Sequence, residues 1–218
     1  MALFHRFSLR GRAVVACLVL LGIALYWSIP RKADLRNFDP AKMAVLETAM
    51  WRDYYDKRYF DLFLNLYLSS RSEFGFSPLD SVKIAVAAAD AARTFQPTRS
   101  RDEANAALPS LVSYYRLLAR AAPVAFDVDQ AAKLELDWWQ ARREDVPPET
   151  YGRTIAATSA MLYGRSDDLM VQSGVERAQA MAFRDHHRSD MTDADWSVIE
   201  LRLFKAYSKL RRSVNPAP

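Results

Sequence analysis

The sequence predicts an all-α protein: one globular bundle of about seven or eight helices behind an N-terminal membrane-spanning helix. Three observations carry that expectation. Glycine is scarce, 6 in 218 residues, whereas alanine, leucine and arginine are plentiful, the composition of a helix former. Capping and stop signals punctuate the chain at helix-length intervals. No segment alternates apolar and polar residues as a half-buried strand does, and no repeat of fixed period is present. Half the residues are hydrophobic and 12% aromatic, enough to build a core and unlike a disordered chain.

The N-terminal 12 residues form a basic tail with Arg6, Arg10 and Arg12 and no acid. Residues 13–29, AVVACLVLLGIALYWSI, are 17 residues without a charge. As a helix they reach about 25 Å against a hydrocarbon core of ~30 Å. Tyr26 and Trp27 suit the headgroup level, and thinning or snorkelling covers the shortfall. A single-pass signal anchor is the first expectation and a signal peptide cleaved after Ala24 the second. A lipoprotein signal is rejected, because the apolar run follows Cys17 instead of preceding it. Basic residues flank the run on both sides. The short, acid-free tail favours an inside N-terminus and an extracytoplasmic domain, since long domains translocate largely regardless of charge. A linker is expected over 30–38 and the helical domain over 39–214.

Within that domain the starts are explicit. Asp39-Pro40 is a cap followed by proline at the first helical position. SPLD at 77–80 repeats the device, SRDE at 100–103 and SGVE at 173–176 read as capping boxes, and Asp127 and Thr192 are further caps, with Met191 and Trp196 placed for a hydrophobic staple. Gly75 and Gly164 suit helix ends, while Pro97, Pro123 and Pro147-Pro148 forbid continuation. Helices are therefore expected near 40–56, 58–73, 78–94, 101–121, 128–144, 149–163, 174–187 and 193–212. Pro109 should kink or divide the fourth, and nothing decides whether the first two are continuous. The small stripe Val82, Ala85, Ala89, Ala92 predicts a closely packed, central helix. Trp196, Ile199, Leu203, Tyr207 and Leu210 form the buried face of the last one.

The net charge of +4 belongs mainly to the tail; the rest holds 27 basic against 26 acidic residues. The body thus has no electrostatic footprint for nucleic acid. No phosphate loop, nucleophile elbow or zinc-ligand spacing occurs. The densest chemistry is LELDWWQARRED, 134–145, which as a helix aligns Val128, Ala131, Glu135, Trp138 and Arg142, with Trp139 one turn beyond Glu135. Glu47 and Trp51 repeat the Glu-x-x-x-Trp spacing, with Tyr54 and Tyr55 beyond, and Arg58 follows as Arg142 follows Glu135.

Two readings compete for these carboxylates. Facing inward between helices, Glu47 and Glu135 would resemble half of a di-metal bundle site, but such sites add Glu-x-x-His from two further helices, and this chain has none. The favoured reading makes Glu47, Trp51, Glu135, Trp138, Trp139 and Arg142 a structural or pocket network, with the carboxylates paired to Arg or to Tyr and Trp donors. His186, His187 and Asp190 in FRDHHRSD form a second metal candidate, weighed against a solvated helix end whose histidines suit the dipole. The aromatic run at 54–70 is core by preference, or the wall of an apolar cavity or partner groove. The functional expectation is a membrane-tethered binding or assembly module for a protein or an apolar ligand; the alternatives are a helical metalloenzyme and an apolar-ligand carrier. No particular cofactor is implied.

Overall fold

The computed structural model describes residues 9–28, 32–188 and 190–216, and all regular structure among them is helical. The first helix, α1, is Leu9–Ser28. Among the described residues no helix is long and apolar enough to cross a membrane. The expectation of a membrane-spanning helix over 13–29 therefore finds no support among the described residues. α1 opens on Leu9, Arg10, Gly11 and Arg12 ahead of the uncharged run. Ile29, and the tail before Leu9, lie outside the described residues.

The segment expected as a linker is docked where it is described. Leu35 and Phe38 are buried, Asp34 N–H donates to Phe74 O and Leu35 N–H to Ala121 O, both at 3.1 Å. α2, Pro40–Tyr55, starts on its proline with the Asp39 carboxylate accepting from Ala41 and Lys42 N–H, which satisfies two donors that a helix start leaves free. It ends before α3, Tyr59–Leu68, so the two are separate helices. Lys57 supplies the break with a left-handed φ of 59°. Buried Asp53 holds the turn by drawing in Arg58 at 2.7 Å and the Asn65 amide at 2.8 Å.

α3 runs into a single π-turn over Ser69–Glu73. The hydroxyls of Ser69 and Ser70 both donate to Leu66 O, at 2.9 and 3.0 Å, a competition with the backbone ladder that loosens a helix. Gly75 (φ 75°) then redirects the chain into α4, Pro78–Phe95, capped by Ser77. α5, Arg101–Ala104, and a 3-10 turn at Asn105–Ala107 precede α6, Leu108–Leu118. The expected fourth helix is thus divided, with Pro109 in the first turn of the second piece, where its missing N–H costs nothing. α7 is Val128–Arg143, capped by Asp127, and α8 is Pro148–Tyr163, closed by left-handed Gly164.

α9, Asp168–His186, corrects the sequence expectation. It begins at Asp167, whose carboxylate accepts from Met170 N–H at 2.9 Å, so the SGVE box falls inside the helix. Ser173 and Gly174 are buried there because α8 passes against them: a Cβ added to Gly152 would lie 2.7 Å from Val175 Cα. Only glycine permits that backbone approach. α10, Asp193–Val214, has the full reciprocal capping box between Thr192 and Asp195, and Met191 and Trp196 share one apolar cluster.

Neighbour relations close on themselves. α2 packs on α3, α3 on α4, α4 on α6, then α6 on α7, α7 on α8, α8 on α9, α9 on α10, and α10 returns to α2. Eight helices therefore make a closed ring. The buried apolar residues fall into four clusters around it, leaving the middle open. α1 lies outside, against α4, with Val14, Leu18 and Leu21 exposed.

Candidate functional site

The centre of the ring is a cavity of about 440 Å³, within the ~300–1,000 Å³ of small-molecule sites. All eight ring helices contribute to its wall. Most of the lining is apolar or aromatic: Trp51, Tyr54, Phe95, Tyr114, Trp138 and Trp139 among it. The small stripe of α4 explains why room remains, since Ala88, Ala89 and Ala92 face the cavity where larger side chains would fill it. α4 is one wall of the ring and does not sit at its centre; of the stripe, Ala89 and Ala92 border the cavity.

Both singled-out carboxylates face this cavity. Glu47, 3% exposed on α2, accepts from Arg177 of α9 through Nε at 2.8 Å and Nη2 at 2.6 Å, both to Oε1. Its Oε2 accepts from the Tyr207 hydroxyl of α10. Burial opposes the Arg177 charge, but Glu47, Tyr207 and Glu135 outweigh it and push its pKa further up. Through these contacts the one Glu47 side chain ties three helices together.

Glu135 on α7 is held differently. Its Oε2 accepts from the Tyr115 hydroxyl at 2.7 Å and Trp138 Nε1 at 2.9 Å, and its Oε1 from Trp139 Nε1 at 3.0 Å. The spacing seen in the sequence is responsible, because positions three and four along a helix return both indoles to the carboxylate. Among the described residues no cationic side chain forms an ion pair with it. Trp51 lies between the clusters that flank α2 and α7 and also lines the cavity.

The arginines aligned with these carboxylates serve other partners. Arg142 clamps Asp185 of α9 with Nε at 2.7 Å and Nη2 at 2.9 Å, and donates to the Tyr55 hydroxyl at 2.6 Å. Arg58 pairs with Asp53 and Asp56. Neither reaches Glu47 or Glu135. The residues missed by sequence reasoning are Arg177 and Tyr115; Tyr207 reads there as core, without its bond to Glu47. Arg177 stands on the inward stripe Met170, Ser173, Arg177, Met181, visible only once α9 starts at Asp168.

The histidine candidate sits at the surface end of α9. His186 and His187 are exposed, and each ring Nδ1–H donates to a carbonyl one turn earlier, Ala182 O at 2.7 Å and Phe183 O at 2.8 Å. His187 also stacks on Phe183, 4.2 Å between centroids. Asp190 N–H donates to His187 O, and Ser189 lies outside the described residues. Among the described residues no three His, Cys, Asp or Glu side chains converge as a metal site would need.

Burial raises the phenol pKa of Tyr115 well above its usual value, with Glu135 adding to the effect, and lifts that of Tyr151 to about 12. A phenol is neutral below its pKa, so above pH ~10 the unfolded chain releases protons that the native chain keeps. Stability contributed by these groups is complete below pH ~10 and declines by up to ~1.4 kcal/mol per pH unit for each tyrosine. In circular dichroism and tyrosinate absorbance followed from pH 9 upward, the share of absorbance due to the buried tyrosines should appear together with the loss of helix. Ionisation of the buried tyrosines near pH 10 with the helices intact would contradict this burial.

Compared with known proteins, the chain matches no family model, no curated protein and no solved structure.

Proposed function

We propose that this protein is a membrane-tethered binding module that holds a small, largely apolar ligand inside its helical ring. One observation carries the reading: a cavity of about 440 Å³ walled by every ring helix, aromatic over much of its lining, with a few fixed polar groups. That is the constitution of a small-molecule site. A ring of eight helices otherwise gains by collapsing onto its centre, since unfilled apolar space forfeits ~24 cal/mol per Å³.

The tether is the uncharged segment 13–29, whose shortfall of about 5 Å is met by local thinning. α3 is the wall nearest to an apolar phase in character. Its Leu62 and Leu66 line the cavity, while Phe60, 77% exposed, and Leu64 point outward. An apolar ligand enters past this short helix, which is bounded by Lys57 and the π-turn.

Native mass spectrometry of the full chain released from lipid nanodiscs tests the reading. Wild type should carry a small apolar adduct near one equivalent. Ala89→Phe, which places a ring in the cavity, should lose the adduct while melting at the same temperature or higher, as cavity filling does. An adduct equally present in Ala89→Phe would put the ligand elsewhere and overturn the proposal.

A further inference from the structure

The charges around the cavity cancel. Glu47 and Glu135 face Arg142 and Arg177 in the lining, and Asp185 behind it is shared by Arg142 and Arg184. Three carboxylates thus meet three guanidinium groups. A ligand that brought a net charge would find no net counter-charge, and burying it would stay costly. The wall selects a neutral molecule.

The hydrogen-bonding groups of the wall are not balanced in the same way. Its carboxylates are well supplied with donors: Glu47 accepts three hydrogen bonds, from Arg177 Nε and Nη2 and from Tyr207. Glu135 also accepts three, from Tyr115, Trp138 and Trp139. The donors are not all engaged. Arg177 turns Nε and Nη2 to Glu47, and among the described residues its Nη1 has no acceptor. That side chain keeps 30% of its surface and lines the cavity.

Two hydroxyls of the lining are in the same position. Ser173 stands one turn before Arg177 on the same face of α9, and Tyr114 belongs to α6. Among the described residues neither hydroxyl is hydrogen-bonded. Tyr114 lies in the field of Glu135, Arg177 and Glu47; burial first, and then Glu135, push its pKa up, so it remains a phenol able to donate. A donor enclosed without an acceptor is unfavourable, and the rule in folded proteins is that such groups find one. Here the missing partner is an acceptor on the ligand.

We infer that the ligand is a neutral carbonyl compound, a ketone or ester on an apolar body, whose oxygen accepts from Arg177 Nη1, with the Tyr114 hydroxyl as second donor. This rests on the cavity being a ligand site. A carbonyl oxygen has two lone pairs and no proton, so it takes two donors and asks nothing of the carboxylates. A carboxylate ligand would bring the charge that this wall does not meet.

Calorimetric titration of the full chain in zwitterionic nanodiscs tests the inference with acetophenone, its hydrocarbon isostere α-methylstyrene, and benzoate, each referred to its uptake by empty discs. On that scale acetophenone should bind at least ~10-fold better than α-methylstyrene, and benzoate should bind more weakly than acetophenone. Tyr114→Phe keeps the ring and breaks no bond within the protein, so it should melt as wild type does. It should weaken acetophenone about 3- to 10-fold and leave α-methylstyrene unchanged. The wild-type comparison of ketone and hydrocarbon decides by itself if that variant does not fold. Equal binding of the two, tighter binding of benzoate, or a ketone affinity unmoved by Tyr114→Phe overturns the inference and leaves the ligand site standing. Binding of none of the three overturns both.

Discussion

Glu47→Ala is expected to lower stability by about 3–5 kcal/mol, the usual cost of removing one partner from a buried ion pair. For a domain of this size that corresponds to a fall in melting temperature of roughly 6–20 °C. The change strands the Arg177 guanidinium, deprives the Tyr207 hydroxyl of its acceptor and unties α2, α9 and α10 where the ring closes. Tyr207→Phe removes a single hydrogen bond and should cost only about 1–2 kcal/mol. The double change Glu47→Met with Arg177→Met should recover much of the loss, because an apolar pair avoids the desolvation of two charges. Thermal melts of these variants check the ordering. A Glu47→Ala protein as stable as wild type would show that the pair does not hold the ring together.

Gly174→Ala is the second large effect. A Cβ at Gly174 would press into Gly152 O, and would lie 2.8 Å from Ala156 N. Both are backbone atoms of α8, so α8 and α9 must separate along their whole contact. Alanine gains ~1 kcal/mol of helix propensity over glycine, whereas overpacking of this kind costs about 3 kcal/mol or more. The net loss of ~2 kcal/mol should lower the melting temperature by about 4–8 °C. Gly22→Ala is the control, since nothing lies within 4 Å of the added atom; it should leave the melt unchanged. Equal melts for the two variants would contradict the close approach of the helices.

The legible part of this fold is the part written in local chemistry. Asp39-Pro40, Ser77, Asp127 and Thr192 each cap the helix they announce, because a cap is a contact between residues two or three apart. SGVE misled for the same reason. Its pattern is that of a box, but Gly174 is there for α8, a neighbour that periodicity does not reveal. The spacing Gly152-x-x-x-Ala156 facing Gly174-x-x-x-Ala178 was the available signal.

The Glu135, Trp138 and Trp139 triad could be read directly, since one helix supplies all three. Arg177, 130 residues from Glu47, could not be assigned by spacing. Ring closure is of that kind too. Nothing in the last helix announces that α10 returns to α2, and without closure the small stripe of α4 reads as tight packing and not as the wall of a void. The aromatic run at 54–70 divides accordingly: Leu62 and Leu66 face inward, while Tyr59, Phe60 and Leu64 are exposed.

The central claim is that the void inside the ring is a ligand site, and titration of the full chain with a neutral, polarity-sensitive fluorophore such as N-phenyl-1-naphthylamine tests it most directly. The account predicts saturable binding of one equivalent to wild type, quenching of tryptophan emission from Trp138 and Trp139, and loss of both in a folded Ala89→Phe protein. Non-saturable uptake, or equal binding by wild type and Ala89→Phe, would contradict it.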